Sequence, residues 1–144
     1  MTLHAAYEPD NIFAKIIAGD MPCVKVFEDD VALSFMDIFP QTRGHTLVIP
    51  KQVNARNFLD MPSNMLGPYM ERVQNIAIAV EKAMQPDGIR IAQYNGASAG
   101  QTVFHLHFHI LPIWEGSSFS AHASGKPADT AELQEFAKSI RAAL

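Results

Sequence analysis

Apolar positions change their spacing several times along the chain, and each change marks an element. Ile12, Phe13, Ile16 and Ile17 repeat at helical spacing. Asp10 or Asn11 can cap that short helix, and Gly19 and Asp20 end it. Residues 24–28 alternate weakly and read as a strand, Asp29 and Asp30 as a turn, and 31–37 as the partner strand of a hairpin. A loop over 40–44 leads to a strand over 45–49 that Pro50 stops. Leu66, Tyr69, Met70, Val73, Ile76, Ala77, Val80, Ala83 and Met84 then fall at helical spacing. They form the main helix, which starts near Ser63 with Pro68 in its first turn or at a kink. A turn over 86–88 precedes a strand over 89–94. A small glycine-containing loop over 95–100 leads to a strictly alternating strand over 103–111. Asp129 caps a last helix, Glu132 stands in the capping-box position, and Leu133, Phe136, Ala137 and Ile140 form the buried stripe.

This order predicts an α+β fold, a mostly antiparallel five-stranded sheet with one long and two shorter helices. A length of 144 residues suits one domain spanning 1–144, in which 1–9 reads as a loose arm, 115–128 as a flexible loop and 129–144 as the C-terminal helix. Apolar residues at 48% against 18% charged give a chain able to bury a core. The net charge of −4 provides no basic footprint for a nucleic-acid duplex, although it leaves room for a mononucleotide held by a few local donors. A single cysteine, Cys23, excludes an internal disulfide and a thiolate zinc knuckle. No apolar run approaches the ~18 residues of a membrane span, and the first ten residues do not resemble a secretion signal, so the expected location is cytoplasmic.

The richest chemistry lies in His105-Leu106-His107-Phe108-His109-Ile110-Leu111, which holds three of the six histidines. On an extended strand Leu106, Phe108 and Ile110 face one way, toward the long helix, and the three imidazoles line the other face. Three readings are open. The first is a solvent-exposed face that happens to carry histidines. The second is a metal site, but His105 and His109 would lie about 13 Å apart, so two rings at most could share an ion and would need a carboxylate or histidine from elsewhere. The third is catalysis on a phosphate, with a neutral imidazole as nucleophile and the flanking rings donating protons or hydrogen bonds. Three rings with the attacker in the middle suit a tetrahedral phosphate better than one ion. The preceding Ala99-Gly100-Gln101-Thr102 loop favours this reading, since glycine permits close backbone approach and N–H groups with a threonine hydroxyl can hold phosphate oxygens.

At these residues the sequence resembles the histidine triad (HIT) family, whose pattern of three histidines alternating with apolar residues is complete over 105–111. The resemblance extends through Ile12-Phe13-Ala14-Lys15-Ile16-Ile17, Phe27-Glu28-Asp29-Asp30, Phe35-Met36-Asp37-Ile38, Gly44-His45-Thr46-Leu47-Val48-Ile49-Pro50-Lys51 and Ala99-Gly100-Gln101-Thr102-Val103-Phe104. It implies a homodimer that binds a purine nucleotide and cleaves it at the α-phosphorus, either as a nucleoside phosphoramidate or as a dinucleoside polyphosphate. By the resemblance His107 is the nucleophile that becomes a nucleotidyl-histidine, His109 contacts the phosphate near the leaving group, and His105 and His45 support the nucleophile. Asp37 receives the ribose hydroxyls. Phe13, Ile16, Phe35, Ile38 and Leu47 wall the base. Asn95, Gly100, Gln101 and Thr102 belong to the phosphate side. Plain readings stand beside these: core for the apolar walls, a turn residue for Asp37, a buried structural histidine for His45, and a solvated helix face for Lys15.

The sequence departs from the family in two places. Some HIT proteins bind structural zinc through a Cys-x-x-Cys near the start, a histidine shortly after the Pro-Lys, and a triad histidine. Here those first three positions hold Asn11, Ala14 and, near the third, Val53, none of which ligates zinc as thiolate or imidazole does. No metal and no cofactor is therefore expected. The family often has Asn-Asn-Gly ahead of the loop, where this chain has Tyr94-Asn95-Gly96. His122 lies outside every matched piece. A different class of function, a nucleotide-binding or partner-binding module with little turnover, is separated from the enzyme by whether a nucleoside monophosphate is released.

Overall fold

A computed structural model describes residues 3–117 and 126–144, so part of the loop expected over 115–128 lies outside the described residues. The elements in order are α1 (Ile12–Ala18), β1 (Lys25–Glu28), β2 (Ala32–Met36), β3 (Thr46–Pro50), α2 (Ser63–Met84), β4 (Gly88–Ala92), β5 (Phe108–Ile113) and α3 (Thr130–Ala142). Short 3-10 turns at Phe58–Asp60 and Ala97–Ala99 complete the list. The five strands form one antiparallel sheet in the order β1-β2-β3-β5-β4. The α+β architecture is the one the sequence predicts. Among the described residues no helix is long and apolar enough to cross a membrane.

Local chemistry explains most boundaries. Asn11 accepts the Ala14 N–H at 2.9 Å and caps α1, and Gly19 closes it in the left-handed conformation at φ +84°. Asp29 accepts the N–H groups of Val31 and Ala32 and so builds the first hairpin turn. Asp129 caps α3 by accepting the Ala131 N–H. Gly44, at φ +82°, leads into β3 where a Cβ would stand 3.0 Å from Met84 and 3.2 Å from Pro112, so both conformation and space call for glycine.

Alternation along β2 and β3 gives the sheet two apolar faces. Val26, Ala32, Met36 and Val48 pack with Tyr69, Val73 and Ile76 of α2 and with Leu133, Ala137 and Ile140 of α3. Leu33, Phe35, Leu47 and Ile49 pack on the opposite face with Phe13 of α1. Leu106, Ile110 and Phe108 join the α2 side, as expected. His109 pairs with Leu47 across the β3–β5 ladder, so its ring shares the face of Phe35 and Leu47 beneath α1.

Three expectations need correction. The strand expected over 103–111 is β5 over Phe108–Ile113 instead, and His105 and His107 precede it in bent chain. Pro50 brings no N–H to extend the ladder. Its carbonyl takes the imidazole Nε2–H of His105 at 3.0 Å, and the Leu106 N–H turns to the Ala55 carbonyl at 2.9 Å. Proline does not end the strands either. Pro50 pairs with Ala32, and Pro112 pairs with Ile89 past the last β3 partner, Ile110, where β5 has one neighbour. Lastly, the described part of the arm is not loose. The nearly buried Arg56 and Asn57 donate to the carbonyls of Ala6 (3.2 Å) and Leu3 (2.9 Å), and Tyr7 reaches His105.

Candidate functional site

Four imidazoles meet on the α1 face of the sheet: His45 from the start of β3, His109 from β5, and His105 and His107 from the bent chain before it. They are not an open wall. His105 and His109 are 1% exposed and His107 5%, which excludes the solvent-exposed reading. Phe13 stands edge-on to His107 with ring centres 5.0 Å apart, Tyr7 covers His105, and Tyr94 lies 5.4 Å from His109. The His107 and His109 rings are themselves 4.9 Å apart.

Three of the rings meet a group that can only donate or only accept, and the fourth follows from its neighbour, so the proton positions can be assigned. The Pro50 carbonyl accepts from His105 Nε2–H, which makes His105 Nδ1 the acceptor of the Tyr7 hydroxyl at 2.6 Å. The His105 carbonyl accepts from His107 Nδ1–H at 2.6 Å, and His107 Nε2 keeps its lone pair. The Gln41 N–H donates to His45 Nδ1 at 3.0 Å, so His45 carries its proton on Nε2 and gives it to His109 Nδ1 at 3.0 Å. His109 then bears its own proton on Nε2. Burial pushes the His105 imidazole down to about 4, against the opposing pull of the Pro50 carbonyl.

Asp37 follows β2 and stands with its Oδ2 3.5 Å from His45 Nε2. Burial pushes its carboxyl up to about 6, opposed by the Phe39 N–H that donates to Oδ1 at 2.8 Å. Asp37, His45 and His109 bring one ligand atom each within 4.8 Å of one another, a set with one triad ring where the metal reading expected two. The set does not fit an ion. A metal on His45 Nε2 would move the imidazole proton to Nδ1, where the Gln41 N–H already points. Asn11, at one position of the zinc pattern, uses its side chain to cap α1.

The predicted nucleotide contacts separate into two groups. Phe13, Phe35 and Leu47 are buried in the α1-side cluster, whereas Ile16 is half-buried and Ile38 is 45% exposed, so these last two have surface to offer a base. On the phosphate side, the N–H groups of Ala99, Gly100 and Gln101 bond back to the Gly96 and Ala97 carbonyls. Gly100 holds φ +108° against the Tyr94 ring. The Gln101 amide is engaged at both ends, accepting from the Gly96 N–H at 2.8 Å and donating to the Arg56 and Val103 carbonyls at 2.7 and 3.1 Å. Gln101 therefore clasps the loop rather than facing a phosphate. Asn95 turns its Oδ1 to the Phe58 N–H and the Gln93 amide, and Thr102 is exposed at the loop exit. Sequence reasoning missed Tyr7, Gln41, Tyr94 and the Pro50 carbonyl as neighbours of the rings. Only Tyr94 carried a signal, the departure from Asn-Asn-Gly.

The HIT domain model matches residues 18–115, which contain all four rings. The chain belongs to the HIT family. Protein hit of Bacillus subtilis (strain 168) is 43% identical over 135 residues, 90% of each chain. The adenosine 5'-monophosphoramidase hnt1 of Schizosaccharomyces pombe is 40% identical over 101 residues, 70% of this chain and 72% of that one. Among solved structures, a Hit-like protein involved in cell-cycle regulation from Bartonella henselae superimposes with a TM-score of 0.90 at 51% identity, covering 97% of this chain and all of that one. The match to the solved structure runs over nearly the full length of both chains.

Proposed function

We propose that this HIT protein is a hydrolase that cleaves a purine nucleotide at the α-phosphorus and releases a nucleoside monophosphate. One observation carries the reading: His107 donates Nδ1–H to its neighbour's carbonyl and keeps the Nε2 lone pair, with His109 and its Nε2–H one ring away. In the first step His107 Nε2 bonds to phosphorus and the bond from phosphorus to the leaving group breaks, while His109 hydrogen-bonds the departing group through its Nε2–H and a proton from solvent neutralises that group. In the second step water attacks the nucleotidyl-histidine, the bond from phosphorus to His107 Nε2 breaks, and the proton lost by the water passes to solvent as His107 is freed. Asp37 takes the ribose hydroxyls as an ionised acceptor, Ile16 and Ile38 meet the base, and Thr102 meets the phosphate. The phosphoramidase activity in the name of the S. pombe relative supports a phosphoramidate, with a dinucleoside polyphosphate as the nearest variant. The homodimer implied by the resemblance finds support in β4, an edge strand with Ile91 exposed. A cytoplasmic setting suits the single cysteine.

The test is incubation with adenosine 5'-phosphoramidate and a dinucleoside polyphosphate, with release of AMP and trapping of an adenylate on intact protein by mass spectrometry. We expect the adduct on His107, and a loss of several powers of ten in rate in His107→Ala. No monophosphate from either substrate, or an unchanged rate in the variant, refutes the reading. The near-complete burial of the triad favours one competitor, a nucleotide-binding module with little turnover. Tight calorimetric binding of AMP without turnover would select it.

A further inference from the structure

The described part of the N-terminal arm ends in the site, and this is where the structure says more than the sequence. Three pieces of irregular chain are tied together there: the arm, the segment after β3, and the bent chain that carries His105 and His107. Arg56 stacks on Phe104 with its guanidinium carbon 4.2 Å from the ring centre, and donates to the Ala6 carbonyl. Asn57 donates to the Leu3 carbonyl. Ala55 accepts from Leu106, and the Arg56 carbonyl accepts from Gln101. Two nearly buried polar side chains spent on arm carbonyls are costly unless the arm is part of the folded unit. The residue they deliver is Tyr7, whose hydroxyl lies 2.6 Å from His105 Nδ1 with the two rings edge-on at 5.7 Å.

We propose that Tyr7 is a positioning residue for the hydrolysis, holding the His105 ring by its hydroxyl so that His105 in turn presents its carbonyl to His107. The inference rests on the function proposed above. His105 is clamped between two groups, the Pro50 carbonyl on Nε2 and the Tyr7 hydroxyl on Nδ1. Its own carbonyl orients the nucleophile at 2.6 Å, so a His105 held at both ring nitrogens anchors the backbone from which that carbonyl projects. The phenol also occupies the Nδ1 lone pair, which is where a proton would otherwise add. The other neighbours add little. Among the described residues, the titratable groups in contact with His105 are Tyr7 from the arm and His107 along the chain, while α1 contributes the uncharged Phe13 and β3 the Pro50 carbonyl. Burial raises the Tyr7 ionisation above its ordinary range, so the phenol remains a donor at neutral pH.

The experiment is Tyr7→Phe in the full chain, which keeps the ring packing and removes one oxygen. Two readouts are taken. Steady-state kinetics on adenosine 5'-phosphoramidate should show kcat falling roughly five- to tenfold, the scale of one hydrogen bond, with KM within about twofold. Nitrogen-15 spectra of the imidazoles, recorded without substrate, should show the His105 protonation midpoint moving up, because the donor that competes with a proton at Nδ1 is gone. Both changes are required. An unchanged kcat, a change confined to KM, or a His105 midpoint equal to wild type each overturns the proposal. If wild-type protein turns over no nucleotide, the function proposed above fails and the positioning role fails with it. The spectra then still decide whether the Tyr7 hydroxyl holds His105.

Discussion

Asp37 and His105 are buried on the same face of the sheet and respond to pH in opposite directions, so substitution of one exposes the other. The Asp37 carboxyl rises from an ordinary 3.8 to about 6, and the His105 imidazole falls from 6.5 to about 4. Between pH 3.8 and 6 the folded chain holds a proton on Asp37 that the unfolded chain has released, so this group's contribution to stability falls as pH rises. Between pH 4 and 6.5 the unfolded chain protonates His105 and the folded chain does not, so that contribution rises with pH. At 1.36 kcal/mol per pH unit, each effect amounts to about 3 kcal/mol, and over pH 4–6 they nearly cancel. Asp37→Asn keeps an acceptor for the Phe39 N–H and removes the carboxylate. The variant should match wild type below pH 4, gain on it steadily, and be more stable by about 3 kcal/mol at pH 7. It should also lose activity, because the ribose acceptor is gone. Urea unfolding at pH 4, 5, 6 and 7 measures the difference directly. Parallel profiles for the two proteins, or a variant less stable than wild type at neutral pH, would refute the account of Asp37 as a carboxylate buried at a cost.

Other expectations follow from individual contacts. Gln101→Leu leaves the Gly96 N–H and the Arg56 and Val103 carbonyls without their amide and should destabilise the fold by about 3 kcal/mol; a loss under about 0.5 kcal/mol in urea unfolding would return Gln101 to the phosphate. Because the Gln41 N–H opposes an ion on His45, turnover should survive a strong chelator in metal-free buffer, and a loss restored by zinc would contradict the tautomer assignment. Light scattering at micromolar concentration should give about twice the 15.9 kDa chain mass, and a monomeric mass would remove the role given to the β4 edge.

The parts of this structure legible in the sequence are those set by near neighbours. Helix and strand periods, the Asn11 and Asp129 caps, the Asp29 turn and the facing of Leu106, Phe108 and Ile110 all depend on residues within a few positions. The site depends on distant ones. Strict alternation over 103–111 read as a strand because period two says nothing about whether a partner ladder extends that far, and Pro50, more than fifty positions away, ends it. The arm looked loose because its anchors, Arg56 and Asn57, are some fifty residues downstream. Gln101 looked like a phosphate ligand because a glutamine in a glycine loop carries no mark of whether its amide meets backbone or substrate.

The same long-range contacts explain how one residue type could be given the different tasks of the proposed function. Backbone groups fix the proton of His105, His107 and His45, because a backbone N–H cannot accept nor a carbonyl donate. His107 meets a carbonyl through Nδ1 and becomes the ring with a lone pair on Nε2. His109 meets the Nε2–H of His45, itself fixed by the Gln41 N–H, and becomes the ring with an N–H on Nε2. His105 has both nitrogens engaged and can be neither. Role is thus assigned by position in the fold, and the assignment is robust to most side-chain changes, since Gln41 and Pro50 act through main-chain atoms that substitution leaves in place. Tyr7 and His45 differ in acting through side-chain atoms, and the Tyr7 oxygen is one that a single substitution removes. That makes the arm a point at which the arrangement of the rings is open to change by one substitution.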